Sequence, residues 1–281
     1  MYDELRHLLL IVEHGTFTEA ARRAHLSQPA LSASVRRLEE AFGARLLHRG
    51  RDGARLTAAG EALLPSARAS LAALEDGRRA VAEVMDLRAG EVRLGAGTTA
   101  ATYLLPPVLA RYRARHPGIR YLLRETTTAE GLEALERGEL DMAVVTSEGH
   151  EPWFMDELVL VGPPGHAERG PFVTLRPGAI TRALLERHFP EAEIVMELGS
   201  LASVKGNVRA GIGVALISRH AVLNDLRERR LVRIRDPRTP IERPMMLAHR
   251  GVEQLPPAVA ALRELLLSPE GTEHLRRRRR R

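Results

Sequence analysis

Between Ser27 and Arg51 the chain carries side chains suited to reading base edges and neutralising phosphate. Gln28 has the paired donor and acceptor that an adenine edge requires, Ser32 and Ser34 offer hydroxyls to bases or phosphates, and Arg37 supplies a guanidinium. Ser27 and Pro29 flank Gln28 as a helix start would have them. The serine hydroxyl caps free amides, and proline is tolerated in a first turn whose amides lack partners. Arg49 and Arg51 lie around the glycines Gly50 and Gly53, in a strand, turn, strand pattern. Arg51, at the tip, would meet the DNA backbone or minor groove, and Arg49 either does the same or ties the turn to the helices. From Gly15 to Thr57 eight arginines face four acids. That local excess matters more than the net charge of +6, which the six terminal arginines, Arg276 to Arg281, account for alone.

A second group begins at Gly95-Ala96-Gly97-Thr98-Thr99-Ala100, after a strand and before a helix. Free amides and the helix dipole favour an anion there, so Thr98 and Thr99 are candidates to bind a small carboxylate or similar anion. The same string also fits GxGxxA with Glu125 ending the next strand, a Rossmann-like arrangement whose consequence would be a nucleotide-dependent α/β enzyme using the GAGTTA loop. Against that alternative, Glu125 comes later than the usual interval of about 20 residues. No GxSxG elbow, GxxxxGK[ST] loop or coherent catalytic pair accompanies it.

Other chemistry is excluded by composition. With no cysteine there are no disulfides, thiolate nucleophiles or iron–sulfur clusters, and the eleven histidines form no HExxH or HxxxH pair. No catalytic residue, metal or cofactor is therefore expected. No apolar run is long enough to span a bilayer. The acidic start lacks the pattern of a secretory signal, so the expected location is cytoplasmic, away from membranes, which also argues against a plain exported solute-binding protein.

The elements that must position these groups follow from periodicity. Leu5, Leu8, Leu9 and Val12 predict a first helix stopped at Gly15. Thr16 to Glu19 has capping-box spacing for a slim second helix carrying Ala20, Ala21 and Ala24, and Leu31, Val35, Leu38 and Phe42 predict the buried stripe of a third. Three such helices form a helix-turn-helix whose third helix enters the major groove, with Gln28, Ser32, Ser34 and Arg37 exposed as readers. Beyond Thr57, Leu64, Ala67, Leu71, Leu74, Val81 and Met85 recur at spacings of three and four, broken by Arg78. They predict a coiled-coil seam, hence a homodimer on two related half-sites, or else a helix packed on its own domain; Pro65 kinks it or marks its start. From Glu91 onward strands alternate with helices, as in a parallel α/β unit followed by a second lobe.

The stretch FTEAARRAHLSQPALSASVRRLEEAFGARLLHRGRDGARLTAAGEALL resembles the DNA-binding domain of LysR-type transcriptional regulators, with the AA pair, SQPALS, RRLEE, the wing arginine and LTxAG in order. One departure is Ala33, where the family often has a large polar residue. GAGTTA, YLLPPVLARYRARHPG, GELDMAVV and VRAGIGVALIS resemble, more thinly, the family's effector domain. The resemblance implies an α+β multidomain chain: a winged helix-turn-helix at 1–58, a linker helix at 59–88, and a two-lobed, periplasmic-binding-protein-like effector domain at 89–270. The first lobe is expected at about 89–155 and 220–270, the second at about 156–219, and a disordered arginine-rich tail at 271–281. It further implies an effector in the interlobe cleft, with Thr146, Ser147, Arg176, Ser200 and Ser203 completing the pocket, a dimer of dimers, and contact with RNA polymerase as DNA bending changes.

Overall fold

A computed structural model of the 281-residue chain describes residues 1–50, 53–85, 90–165 and 170–277. They fall into two compact units, the first made chiefly of residues 1–82 and the second of 83–135 and 140–281. Among the described residues no helix is long and apolar enough to cross a membrane.

The first unit opens with α1 (Tyr2–His14), α2 (Phe17–Arg23) and α3 (Gln28–Phe42). Gly15 ends α1 with a left-handed φ of 71°, and Thr16 caps α2 by accepting from Glu19 N at 3.2 Å. Glu19 does not reach back to complete the box; its carboxylate pairs instead with Arg22 at 2.6 Å and Arg23 at 3.1 Å. Leu5, Leu8, Ile11, Ala20, Ala21, Leu31, Val35 and Leu38 close a single core. Phe42, expected in that stripe, is 48% exposed, because the helix ends one residue later at Gly43 and its last turn stands clear of α1 and α2.

The wing forms as expected. Strands β1 (Leu47–Gly50) and β2 (Gly53–Leu56) pair antiparallel, Leu47 with Leu56 and Gly50 with Gly53. Gly53 has a φ of 115°, and a Cβ there would lie 2.4 Å from Gly15 O, so only glycine lets the wing approach the α1–α2 turn. That approach is used: Ala54 N donates to Gly15 O at 2.7 Å. Glu39 of α3 fastens the other end, accepting from Leu46 N at 2.8 Å and Leu47 N at 3.3 Å.

Helix α4 (Ala58–Met85) starts under Thr57, whose hydroxyl accepts from Gly60 N at 3.1 Å, so Pro65 lies inside the helix and does not begin it. The expected apolar seam divides. Ala67, with Leu63 and Leu71, packs into the helix-turn-helix core, whereas Leu74 and Val81 are 45% and 64% exposed. Arg78, the break in the series, stacks over the Tyr2 ring at 5.2 Å.

The second unit begins with parallel strands β3 (Glu91–Ala96), β4 (Arg120–Glu125) and β5 (Met142–Val145), connected by α5 (Leu105–Arg115) and α6 (Thr128–Glu136). A π-helical turn, 100–104, leads into α5. Two long strands, β6 (Glu151–Gly162) and β11 (Ile241–Ala248), run antiparallel side by side and cross from one lobe to the other. The second lobe adds β7 (Phe172–Leu175), α7 (Ile180–His188), β8 (Ile194–Leu198), α8 (Leu201–Arg209), β9 (Ala215–Ser218), α9 (Arg219–Arg227) and β10 (Val232–Arg233). Its sheet is seeded on β6, which pairs with β9 along Leu158–Val161 and with β10 at its end. Helix α10 (Pro257–Leu267) returns to the first lobe, where Trp153 Nε1 donates to Leu266 O at 3.1 Å and Tyr112 Oη to Ala258 O at 2.7 Å.

Two boundaries differ from expectation. The segment after residue 220 stays in the second lobe: Ala221, Val222 and Leu231 join the core of Val159, Val161 and Ile217, and the chain recrosses only along β11. The tail is not wholly irregular either. Helix α11 (Pro269–Arg277) is held by the buried Leu275 and by Ser268, which accepts from Gly271 N at 3.0 Å. Residues 278–281 lie outside the described residues.

Candidate functional site

The face of α3 is set by which side chains the core claims. Ser27 caps it, accepting from Ala30 N at 3.3 Å, and Ser27, Gln28 and Pro29 are all exposed in its first turn. Ser32 and Ser34, expected to be exposed readers, are buried. They flank the Leu31, Val35, Leu38 stripe on opposite sides, and Ser34, at 0% exposure, shares a 2.7 Å hydrogen bond with His7 Nδ1 of α1. Arg37 is exposed, but its Nε donates to Glu4 of α1 at 3.1 Å. Together with the N-terminal amine, that contact helps to pull the Glu4 carboxyl down to about 2. The cation left on the open face is Arg36, one turn beyond Ala33 and two beyond Pro29. The reading from sequence missed it; the signal was its angle, opposite the Leu31, Val35, Leu38 stripe. Arg51 lies outside the described residues. Arg49 stands on β1 opposite Ala54, and its side chain is likewise undescribed.

In the second unit Thr98 and Thr99 follow β3 as expected but have separate partners. Thr98 Oγ1 donates to Glu125 Oε2 at 3.0 Å, while the buried Thr99 Oγ1 accepts from Arg243 at 3.1 Å. Thr146 is 3.0 Å from Thr128, hydroxyl to hydroxyl. Ser147 Oγ is buried with no hydrogen-bond partner. Ser200 caps α8, accepting from Ser203 N at 3.1 Å, with the two hydroxyls 2.9 Å apart. Arg176 is exposed, and its charge reaches Glu130, whose carboxyl is lowered first by backbone and side-chain hydrogen bonds at Thr127 and only slightly by Arg176. Among the described residues no hydrogen bond of Thr98, Thr99 or Thr146 reaches Ser200 or Ser203.

What joins the lobes is a group that sequence reasoning missed. Arg243 on β11 stands opposite Asp156 on β6 in the strand register and bonds its Oδ2 at 2.5 Å. The same guanidinium donates to Thr99 of the first lobe and, at 3.0 Å, to Thr181 of α7 in the second. Asp156 Oδ1 takes Ser218 Oγ at 2.8 Å and His220 Nδ1 at 3.2 Å. Burial alone would raise the Asp156 carboxyl; His220, Arg243 and Ser218 together hold it below the ordinary carboxylate value. A Ser, Asp and His are thus neighbours, yet serine and histidine share one carboxylate oxygen and are not linked in series. The Ser218 hydroxyl bonds the carboxylate directly and not the imidazole, so this is not a Ser–His–Asp nucleophile relay. Among the described residues no group of three or more His, Asp or Glu could hold a metal ion.

Comparison with known proteins agrees with this geometry. Residues 2–61 match the family model described as "Bacterial regulatory helix-turn-helix protein, lysR family", and residues 86–268 match "LysR substrate binding domain". The chain is similar to the RuBisCO operon transcriptional regulator of Allochromatium vinosum, 30% identical over 97% of each chain. Among solved structures it is similar to full-length LysG of Corynebacterium glutamicum with bound effector Arg, at 20% identity, with a TM-score of 0.68 and 97% and 98% of the two chains covered. It is also similar to Vibrio fischeri DarR in complex with DNA, at 18% identity, with a TM-score of 0.56 and 95% and 98% covered.

Two outcomes follow. Burial pulls His7 below its ordinary value, with Arg6 and Arg37 acting in the same direction and Asp3 and Glu4 opposing. The unfolded chain then binds the extra proton first, so stability falls as pH drops through about 6.5. Thermal melts from pH 7.5 to 5.5 should lose less stability in His7→Gln than in the parent; equal slopes would exclude His7 as the cause. Arg243→Met should cost about 3–5 kcal/mol in urea unfolding, because it strands the buried Asp156. A loss under 1 kcal/mol would show that the pair is dispensable.

Proposed function

The chain belongs to the LysR family of transcriptional regulators, and from that premise we propose that it reads a DNA site of two related half-sites through α3 and the wing, under control of a small anionic effector held in the interlobe cleft. The observation that carries the DNA reading is the open first turn of α3, where Ser27, Gln28 and Pro29 stand free of the core beside a wing in a segment rich in arginine. Gln28 is the base reader. Ser27, Arg36, Arg37, Arg49 and Arg51 act on phosphates, with Arg37 first leaving Glu4. Ser32 and Ser34 drop out as direct readers, since burial and the bond to His7 commit them to the core. The DNA named with DarR supports the same partner.

The effector reading rests on the cleft chemistry. Thr99 at a helix start lies beside a guanidinium, and Ser147 Oγ and Arg243 Nε are buried polar atoms with no partner, as expected of a site whose ligand completes them. Thr146, Arg176, Ser200 and Ser203 are the remaining candidate contacts, Thr98 sharing its hydroxyl with Glu125. The bound arginine named with LysG supports a ligand of metabolite size. Leu74 and Val81, seven residues apart and exposed, support a homodimer through α4. A homotetramer, DNA bending and RNA polymerase contact extend that reading: effector closure changes the angle between lobes, and the oligomer passes it to the spacing of the DNA-binding heads.

Two measurements test this. On a duplex selected from random sequence, Gln28→Ala should lose about 1–3 kcal/mol of discrimination against the wrong base, and Arg36→Gln should lower the salt slope by about one without altering sequence preference. Fluorescence anisotropy unchanged by both substitutions would refute the α3 reading. Calorimetry with the effector recovered from the native protein should show binding lost in Thr98→Val combined with Thr99→Val; unchanged affinity would move the effector elsewhere.

A further inference from the structure

A cavity of about 340 Å³ opens between the π-helical turn leading into α5 on one side and helices α8 and α9 on the other, bordering the Arg243 cluster at His220. Its walls come from both lobes, Tyr103 from the first and Lys205, Arg209, Asn224, Asp225 and Arg230 from the second. Its size falls at the lower end of the usual range for small-molecule sites, about 300–1,000 Å³.

Three cations converge there on one buried carboxylate. Lys205 Nζ lies 3.3 Å from Asp225 Oδ2, Arg230 Nε lies 3.1 Å from Oδ1, and Arg209 also bonds Oδ1. Lys205 also donates to Ala221 O at 2.9 Å and sits 5.3 Å from the centre of the Tyr103 ring. Burial works against the ionised Asp225, but Arg230, Lys205 and Arg209 more than offset it, leaving the carboxyl below its ordinary value. One ionised carboxylate against three cations leaves two positive charges in the cavity. Glu228, exposed outside the cavity, pairs with Arg230 and offsets one of them, leaving a surplus of one positive charge. A carboxylate accepts at most about four hydrogen bonds, so the remaining donor capacity of two guanidiniums points to a second, external anion.

We propose that this cavity is a further small-molecule site, distinct from the contacts of Thr99 and Arg243 though it borders that cluster at His220, and that it takes a small anion such as a phosphate or a dicarboxylate. The ligand's charge meets Arg209 and Arg230, and Asn224 and the Tyr103 edge supply the polar and flat apolar walls. Because the walls belong to different lobes, occupancy there biases the angle between them, giving the protein a second input beside the cleft.

The test is calorimetry on the full-length protein at low salt, with inorganic phosphate and malonate as probes. At least one probe should bind the parent protein. Arg209→Gln combined with Arg230→Gln should weaken that binding tenfold or more, while Thr98→Val combined with Thr99→Val leaves it within twofold. Both arginines are partly exposed, and Lys205 remains on Asp225, so the double variant keeps its fold, which a thermal melt checks. Asp225→Asn should tighten binding, because it removes a competing internal anion. No binding of either probe at millimolar concentration, unchanged affinity in the arginine variant, or weaker binding with Asp225→Asn would overturn the proposal. Loss of binding in the threonine variant would instead place the anion in the cleft and leave the effector reading standing without this one.

Discussion

A guanidinium and a carboxylate that lie opposite one another on two neighbouring strands, both cut off from water, must satisfy each other or unfold the strands that carry them. Arg243 is 3% exposed and Asp156 0%, and they stand in register at the point where β6 and β11 pass between lobes. The desolvation cost of such a pair is recovered only when every remaining donor and acceptor finds a partner of good geometry. The surroundings meet most of that requirement: Ser218 and His220 fill one oxygen of Asp156, and Thr99 and Thr181 take the outer nitrogens of Arg243, while its Nε is left buried without a partner. One ion pair thereby fixes where β9 ends, where α7 begins and how the first helix of the domain leaves β3.

The helix-turn-helix was legible because its determinants are local. Thr16, Ser27 and Gly15 each act within a turn of themselves, and their caps and left-handed stop occur where the residue types require. Burial of Ser32 and Ser34 was not legible in that way. A small polar side chain on a helix flank looks the same whether it faces solvent or another helix, as Ser34 faces His7 of α1, and only the packing of the helices decides. Phe42 erred in the opposite direction: the 3.6-residue period put it on the apolar stripe, but the stripe outlasts the helices it packs against.

In the second unit the alternation of strands and helices could be read directly, and with it the parallel pairing of β3, β4 and β5, though not their order. The cleft could not. Thr98 and Thr99 were recognisable from their place after a glycine-rich strand end, but their partners, Glu125 and Arg243, lie 27 and 144 residues away. Nothing local marks Arg243 as buried; its neighbours in the sequence, Glu242 and Pro244, read as an exposed edge. The late return to the first lobe has the same origin, since Ala221, Val222 and Leu231 have the composition of either core.

The way α4 begins bears on where the DNA-binding piece can be cut. Leu63, Ala67 and Leu71 are part of the same apolar cluster as Leu8, Leu31 and Leu38, so the long helix supplies one wall of the small domain as well as leading away from it. A gene fragment ending after the wing would encode three helices with one side of their interior wetted. The autonomous folding piece extends at least three turns into α4, and a rotation imposed on that helix cannot slip past α3, because the two share one packed interior.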